Sequence, residues 1–248
     1  MAQTKIIPGY PAMVIEGDKK SLVITDLHLG FENALTLNNV FLGKNKTVTE
    51  ITKEIELIIN KTKPDSLILL GDIKSGINSI TKTEWETVPV FFENITKLID
   101  TILIPGNHDA GIEKLIPNQI TLAGSKGIII DDILLTHGHT MPSENFSQIN
   151  TIVMGHIHPV FFQKESLING ERVWLSIICD KQKIFHSKSG ELELIILPSF
   201  NRYFYTTQKK FYKKSISPII EKINVIQAKI VTLDGTIIGN ESLLPAVI

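Results

Sequence analysis

The sequence predicts a layered α/β domain, on three observations. Five short apolar runs lack strict alternation, as strands buried on both faces do. Amphipathic helical stripes separate the first three runs, and strand alternating with helix builds layers. Each of the five runs ends in a polar cluster rich in aspartate and histidine.

In chain order, residues 21–25 (SLVIT) are followed at once by Asp26-Leu27-His28, and residues 66–70 (SLILL) by Gly71-Asp72. Residues 101–104 (TILI) lead into Pro105-Gly106-Asn107-His108-Asp109. Residues 133–136 (ILLT) lead into His137-Gly138-His139, and residues 151–154 (TIVM) into Gly155-His156-Ile157-His158. Between the first two strands, Thr47-Val48-Thr49-Glu50 has the capping-box pattern, and Val48, Ile51, Ile55, Ile58 and Ile59 recur at helical spacing. Between the second and third, Val88, Phe91, Phe92, Ile95, Leu98 and Ile99 repeat that spacing, with Pro89 suited to a first helical turn. Asp131-Asp132 separates two apolar runs and reads as a hairpin turn. From about Gly127 the runs crowd together, so the second half is expected to be richer in β. Residues 1–248 are expected to form one domain, the part from about 170, with the strand-like stretches 224–233 and 236–248, completing a second sheet.

Composition sets the outer limits. A chain of 248 residues with 43% hydrophobic content can bury a large core. Twenty-five basic residues against 26 acidic ones give a net charge of −1, which excludes a protein that coats nucleic acid by bulk charge but leaves room for a local basic patch. Arg172 and Arg202 are the only arginines, which argues against an arginine-cluster clamp. The single cysteine, Cys179, excludes an internal disulfide and a cysteine-based zinc cluster. No apolar run approaches the ~20 residues of a membrane helix, and Gly9, Pro11, Glu16 and Asp18 interrupt any leader-like stretch. The expectation is a soluble, cytoplasmic protein that needs no membrane.

Six of the seven histidines sit in the strand-end clusters: His28, His108, His137, His139, His156 and His158. In sheets of this kind ligands gather where strands end, because the loops converge on one edge. Imidazole and carboxylate are donors for borderline divalent cations. No cluster closes a site alone, but together they supply enough donors for two metals sharing a bridge. One Asp-x-His carries little information; five ordered clusters, each directly after an apolar run, carry a great deal.

Asp26-x-His28, Gly71-Asp72, Gly106-Asn107-His108-Asp109, His137 and Gly155-His156-x-His158 resemble the five ordered motifs of the calcineurin-like metallophosphoesterases. Residues 26–32 (DLHLGFE), 71–74 (GDIK) and 197–201 (LPSFN) are similar, more narrowly, to the archaeal and bacterial ICC-like phosphoesterases, some of which are associated with DNA ligase and a helicase. The resemblance implies a four-layer α/β/β/α sandwich, two facing sheets flanked by helices. It implies that Asp26, His28 and His158 hold one divalent cation, Asn107, His137 and His156 a second, and that Asp72 bridges them. The expected ion is Mn²⁺, with Fe, Zn, Ni or Co as alternatives. Two such ions lower the pKa of a bridging water and neutralise phosphate oxygens for in-line attack. The resemblance further implies that His108 is the general acid or transition-state stabiliser, with Asp109 orienting it.

The implied reaction is hydrolysis of a phosphodiester, such as a nucleic-acid end or nucleotide; the alternative is a phosphomonoesterase acting on a small metabolite. A binding module that had lost its chemistry would lack ligands or His108, and neither is missing. A ligase or helicase partner and a homodimer also follow from the resemblance alone. Asn107, His139 and Arg202 are the candidate substrate contacts, His139 alternatively lying behind the ligands or ligating directly. Ser75 stands where the narrower group often has a histidine. The interleaved basic and aromatic residues 209–214 (KKFYKK) have the pattern of a nucleic-acid-tracking segment, although a solvated loop is the simpler reading of so short a stretch.

Overall fold

A computed structural model of the chain describes residues 1–32, 45–203 and 217–247. The basic stretch 209–214 lies outside the described residues. Among those described, two mixed sheets form. The first runs in the order β1 (Gln3–Ile6), β2 (Met13–Glu16), β3 (Lys20–Ile24), β4 (Ser66–Leu69), β5 (Asp100–Leu103) and β6 (Thr121–Leu122). Its strands from β3 onward are parallel, with helix α1 (Lys46–Thr62) crossing from β3 to β4 and α2 (Lys82–Ile95) from β4 to β5. The second sheet comprises β7 (Ile128–Ile130), β8 (Ile133–Thr136), β9 (Thr151–Met154), β10 (Val160–Phe161), β11 (Glu171–Asp180), β12 (Glu191–Ile196), β13 (Val225–Thr232) and β14 (Ile237–Asn240). Its order is β14-β13-β11-β12-β9-β8-β7, with β10 paired to β11.

The side-chain period of two splits each strand between two cores. In β4, Leu67 and Leu69 pack under α1 and α2 with Ile51, Ile55, Val88, Phe91 and Phe92, whereas Ile68 and the following Leu70 join Val23 and Ile104 in the layer between the sheets. The second sheet sends Ile133, Leu135, Val153, Trp174 and Ile195 into that same layer. Its outer residues, among them Leu134, Ile152, Met154, Leu175 and Leu194, lie under Ile219 of a short helix, α3 (Pro218–Lys222), and Leu244 of a 3-10 segment, Glu241–Ala246. This double burial is why the strands read as continuous apolar runs. The expected α/β/β/α order is present, with an outer cover over the second sheet made, among the described residues, of short helical turns.

Two helix starts differ from the sequence reading. The Thr47–Glu50 box does not form: α1 begins one residue before Thr47 from a left-handed Asn45, and Glu50 is used elsewhere, accepting from the Tyr203 hydroxyl at 2.7 Å. The second helix begins at Lys82, capped by Thr81, rather than at Pro89, so Pro89 lies in its interior. A complete capping box, Thr81 with Glu84, fixes that earlier start. Asp131-Asp132 does turn a two-residue hairpin, with Ile130 opposite Ile133. Residues 225–232 and 237–240 join the second sheet as expected.

Ile68, wholly buried between the sheets, carries a direct test. Ile68→Ala is expected to lower stability by about 2–5 kcal/mol through lost transfer energy and the cavity left behind, read as a lower urea midpoint at unchanged slope.

Candidate metal centre

All five polar clusters meet at the strand ends. Asp26 and His28 follow β3, Asp72 follows β4, Asn107 and His108 follow β5, His137 follows β8, and His156 and His158 follow β9. The parallel strands β3, β4 and β5 of one sheet, and β8 and β9 of the other, deliver their loops in the same sense. The chain turns sharply to do so. Asp26, His28, Asp72, His156 and His158 all have left-handed backbones, φ 58°, 43°, 52°, 70° and 49°, a conformation that costs a non-glycine residue about 1–3 kcal/mol and collects at functional sites.

Two groups of donors result. Ligand atoms of Asp26, His28, Asp72 and His158 lie within 4.8 Å of one another, and so do those of Asp72, His137 and His156. Asp72 belongs to both. His158 Nε2 is 3.0 Å from Asp26 Oδ1, and His137 Nε2 is 3.3 Å from Asp72 Oδ2. His28 Nε2 and His108 Nε2 each lie 3.8 Å from Asp72 Oδ2. The Oδ1 atom of Asn107 is buried without a hydrogen-bond partner among the described residues, an acceptor that a bound cation or water would satisfy.

The shell behind these atoms fixes their orientation. His137 Nδ1 donates to Leu70 O at 2.6 Å, which turns Nε2 towards Asp72. Asp72 Oδ1 accepts from the His108 amide at 2.9 Å, and Asp26 Oδ2 from the His156 amide at 3.1 Å and the Thr25 hydroxyl at 2.9 Å. A Cβ at Gly106 would stand 2.2 Å from Asp72 Oδ1, so the backbone approaches the carboxylate as only glycine allows.

Burial and mutual charge set the protonation pattern. Burial opposes ionisation of Asp72 and Asp26, yet the imidazoles beside them, His137 and His158 foremost, hold both carboxyls below their ordinary values. Burial and the neighbouring His158 push His28 down to about 3, so it is neutral and able to donate a lone pair. Burial also penalises the imidazolium of His137, but Asp72 outweighs it and raises that group to about 9. His139 is brought down to about 4, by burial and then by His137.

Three sequence expectations change here. Asp109 does not orient His108. Its Oδ1 accepts from the amides of Ile73 (2.8 Å) and Lys74 (3.3 Å) and its Oδ2 from Gly106 (2.8 Å), so its carboxylate ties two strand-end loops together. Burial and then Asp72 raise its carboxyl to about 6. The ring of His108 instead reaches Ser75 O through Nδ1, at 2.5 Å; the backbone of residue 75, not its side chain, has the role. Arg202 is not brought into the cluster, because its guanidinium pairs with Glu54 Oε2 on α1 at 3.1 Å. His139 does reach the site, its ring 5.3 Å from that of His137 and 6.1 Å from that of His156.

The other arginine was overlooked in the sequence. Arg172 Nη1 donates to Ser199 O (2.7 Å) and Phe200 O (3.0 Å). That loop grips the first motif: Ser199 Oγ donates to Asp26 O at 2.9 Å and Asn201 Nδ2 to Leu27 O at 2.8 Å. The LPSFN resemblance marked the loop, but nothing local in the sequence pairs it with Arg172.

Comparison with known proteins agrees with this geometry. The family model for the calcineurin-like phosphoesterase domain matches residues 19–201. No curated protein matches the chain. Among solved structures, the nuclease MPE of Pseudomonas putida aligns with TM-score 0.54 and 16% identity, over 94% of this chain and 98% of that one. YfcE, a phosphoesterase from E. coli, aligns with TM-score 0.41 and 15% identity, over 90% of this chain and 98% of that one. The first of these shows a shared fold. The family match covers every one of the five clusters and well over half of the sequence: the chain belongs to the calcineurin-like phosphoesterases, hydrolases of phosphoric esters.

Proposed function

We propose that the chain is a dimetal phosphodiesterase, and the observation that carries this is the pair of donor groups sharing Asp72. Asp26, His28 and His158 would hold one divalent cation, Asn107, His137 and His156 the other, with Asp72 between. When bound, two such cations neutralise phosphate oxygens and lower the pKa of the attacking water. The remaining work belongs to the protein. A carbonyl can only accept, so the bond to Ser75 O places a proton on His108 Nδ1 and leaves Nε2 facing the cluster. From there Nε2, in a ring protonated on both nitrogens, can pass its proton to the leaving oxygen, which leaves the Nδ1–H tautomer behind. His139, beside His137 and His156, would line the substrate side.

The preference for a diester rests on the resemblance of residues 26–32, 71–74 and 197–201 to the ICC-like group, and the shared fold with a nuclease supports it. A nucleic-acid end or a nucleotide is the proposed substrate class. We further read the chain as one domain, because β13 and β14, beyond the matched region, complete the second sheet.

Chelator-treated protein is expected to hydrolyse bis-p-nitrophenyl phosphate only after a divalent cation such as Mn²⁺ is returned, and to prefer it to p-nitrophenyl phosphate. Turnover of the monoester alone would favour the small-metabolite alternative. His108→Ala should lower kcat about 10²–10⁴-fold, the usual worth of a general acid, with metal content retained. Gly106→Ala should remove metal-dependent activity by forcing a methyl onto Asp72, while far-UV circular dichroism stays unchanged.

A further inference from the structure

Asp109 does not meet the Nδ1 side of His108, and the structure supplies a carboxylate to that side at a distance of one peptide. The plane joining Ser75 to Gly76 has two polar ends pointing opposite ways. Its carbonyl, Ser75 O, accepts from His108 Nδ1 at 2.5 Å. Its amide, Gly76 N–H, donates to Glu84 Oε1 at 2.5 Å. Glu84 is fully buried.

The capping box at the start of α2 accounts for only part of this carboxylate. Glu84 Oε2 accepts from the Thr81 amide at 2.7 Å, which completes the box. The second oxygen is surplus to helix capping and goes to Gly76. The surroundings are shaped to hold it there. Lys74, also fully buried, donates through Nζ to Gly76 O and grips the next peptide along. A Cβ at Gly30 would stand 2.7 Å from Glu84 Cγ, so the loop after His28 leaves room for this side chain.

We propose that Glu84 is the positioning residue for His108, acting through the Ser75–Gly76 peptide. The inference rests on the reading of His108 as the group that meets the leaving oxygen. Linked hydrogen bonds polarise one another, so a carboxylate on the amide end strengthens the carbonyl as an acceptor. The result is the service an aspartate commonly gives a working imidazole: one tautomer and one ring orientation, with Nε2 held towards the reacting phosphate. A buried helix cap and a catalytic ring are thereby joined by a single peptide plane.

The test is a double-mutant cycle with a leaving-group comparison. Glu84→Ala is expected to lower kcat about tenfold on diphenyl phosphate, a fraction of what a general acid supplies, and less on bis-p-nitrophenyl phosphate, whose leaving group needs little help. KM should stay unchanged. In the His108→Ala background the same substitution should have no further effect on kcat. Thr81→Ala, which weakens the cap but leaves the Gly76 contact, should lower stability and spare kcat. Equal losses from Glu84→Ala in both backgrounds, or a matching loss from Thr81→Ala, would overturn the proposal and leave the role of His108 standing. Should His108→Ala itself leave kcat intact, the catalytic reading of His108 falls and this inference with it. If Glu84→Ala does not fold, Glu84→Gln keeps an acceptor but removes the charge; the Nδ1–H proton resonance of His108 should then move upfield and exchange faster. An unmoved resonance would overturn the proposal as well.

Discussion

Two buried carboxylates dictate the rest of the molecule. Asp26 and Asp72 lie at the meeting point of two sheets, neither exposed to water, and each raises the cost of ionising the other. A buried anion is tolerated only when paired and hydrogen-bonded. Among the described residues no lysine or arginine side chain pairs with either one; histidines and backbone amides surround them instead. Histidine suits such a place because it can be neutral, as His28 is, or charged, as the carboxylates make His137. The same property makes the cluster receptive to divalent cations.

Holding these groups together requires backbone that no ordinary strand end would adopt. Five of the donor residues sit in left-handed conformations, and the surrounding structure has to over-determine them. Rigid parallel strands supply the anchor points. A second set of contacts then ties the loops to one another: Asp109 joins the loops after β4 and β5, and the Arg172-held segment after β12 grips the loop after β3. Strain at these residues is balanced by hydrogen bonds one layer behind them.

Much of this was legible in the sequence because two simple rules act together. Strands buried on both faces lose their alternation, and β4 and β8 stand out for that reason. Parallel strands gather their loops at one edge, so a polar cluster after each run announces the site. What escaped is non-local. Thr47 and Glu50 have the capping-box pattern, yet Glu50 is drawn to Tyr203; Thr81 and Glu84 have the same pattern and use it. Pro89 suits a first turn, but the earlier box won. Ile73 for Asp109, Ser199 for Arg172 and Glu54 for Arg202 lie about 30 to 150 residues away in the chain, at distances no local signal spans.

Whether one carboxylate serves two cation sites is tested most directly by anomalous diffraction from crystals grown with Mn²⁺. The expected result is two anomalous peaks flanking the Asp72 carboxylate, one beside Asp26, His28 and His158, the other beside Asn107, His137 and His156. A single peak, or peaks remote from Asp72, would contradict it.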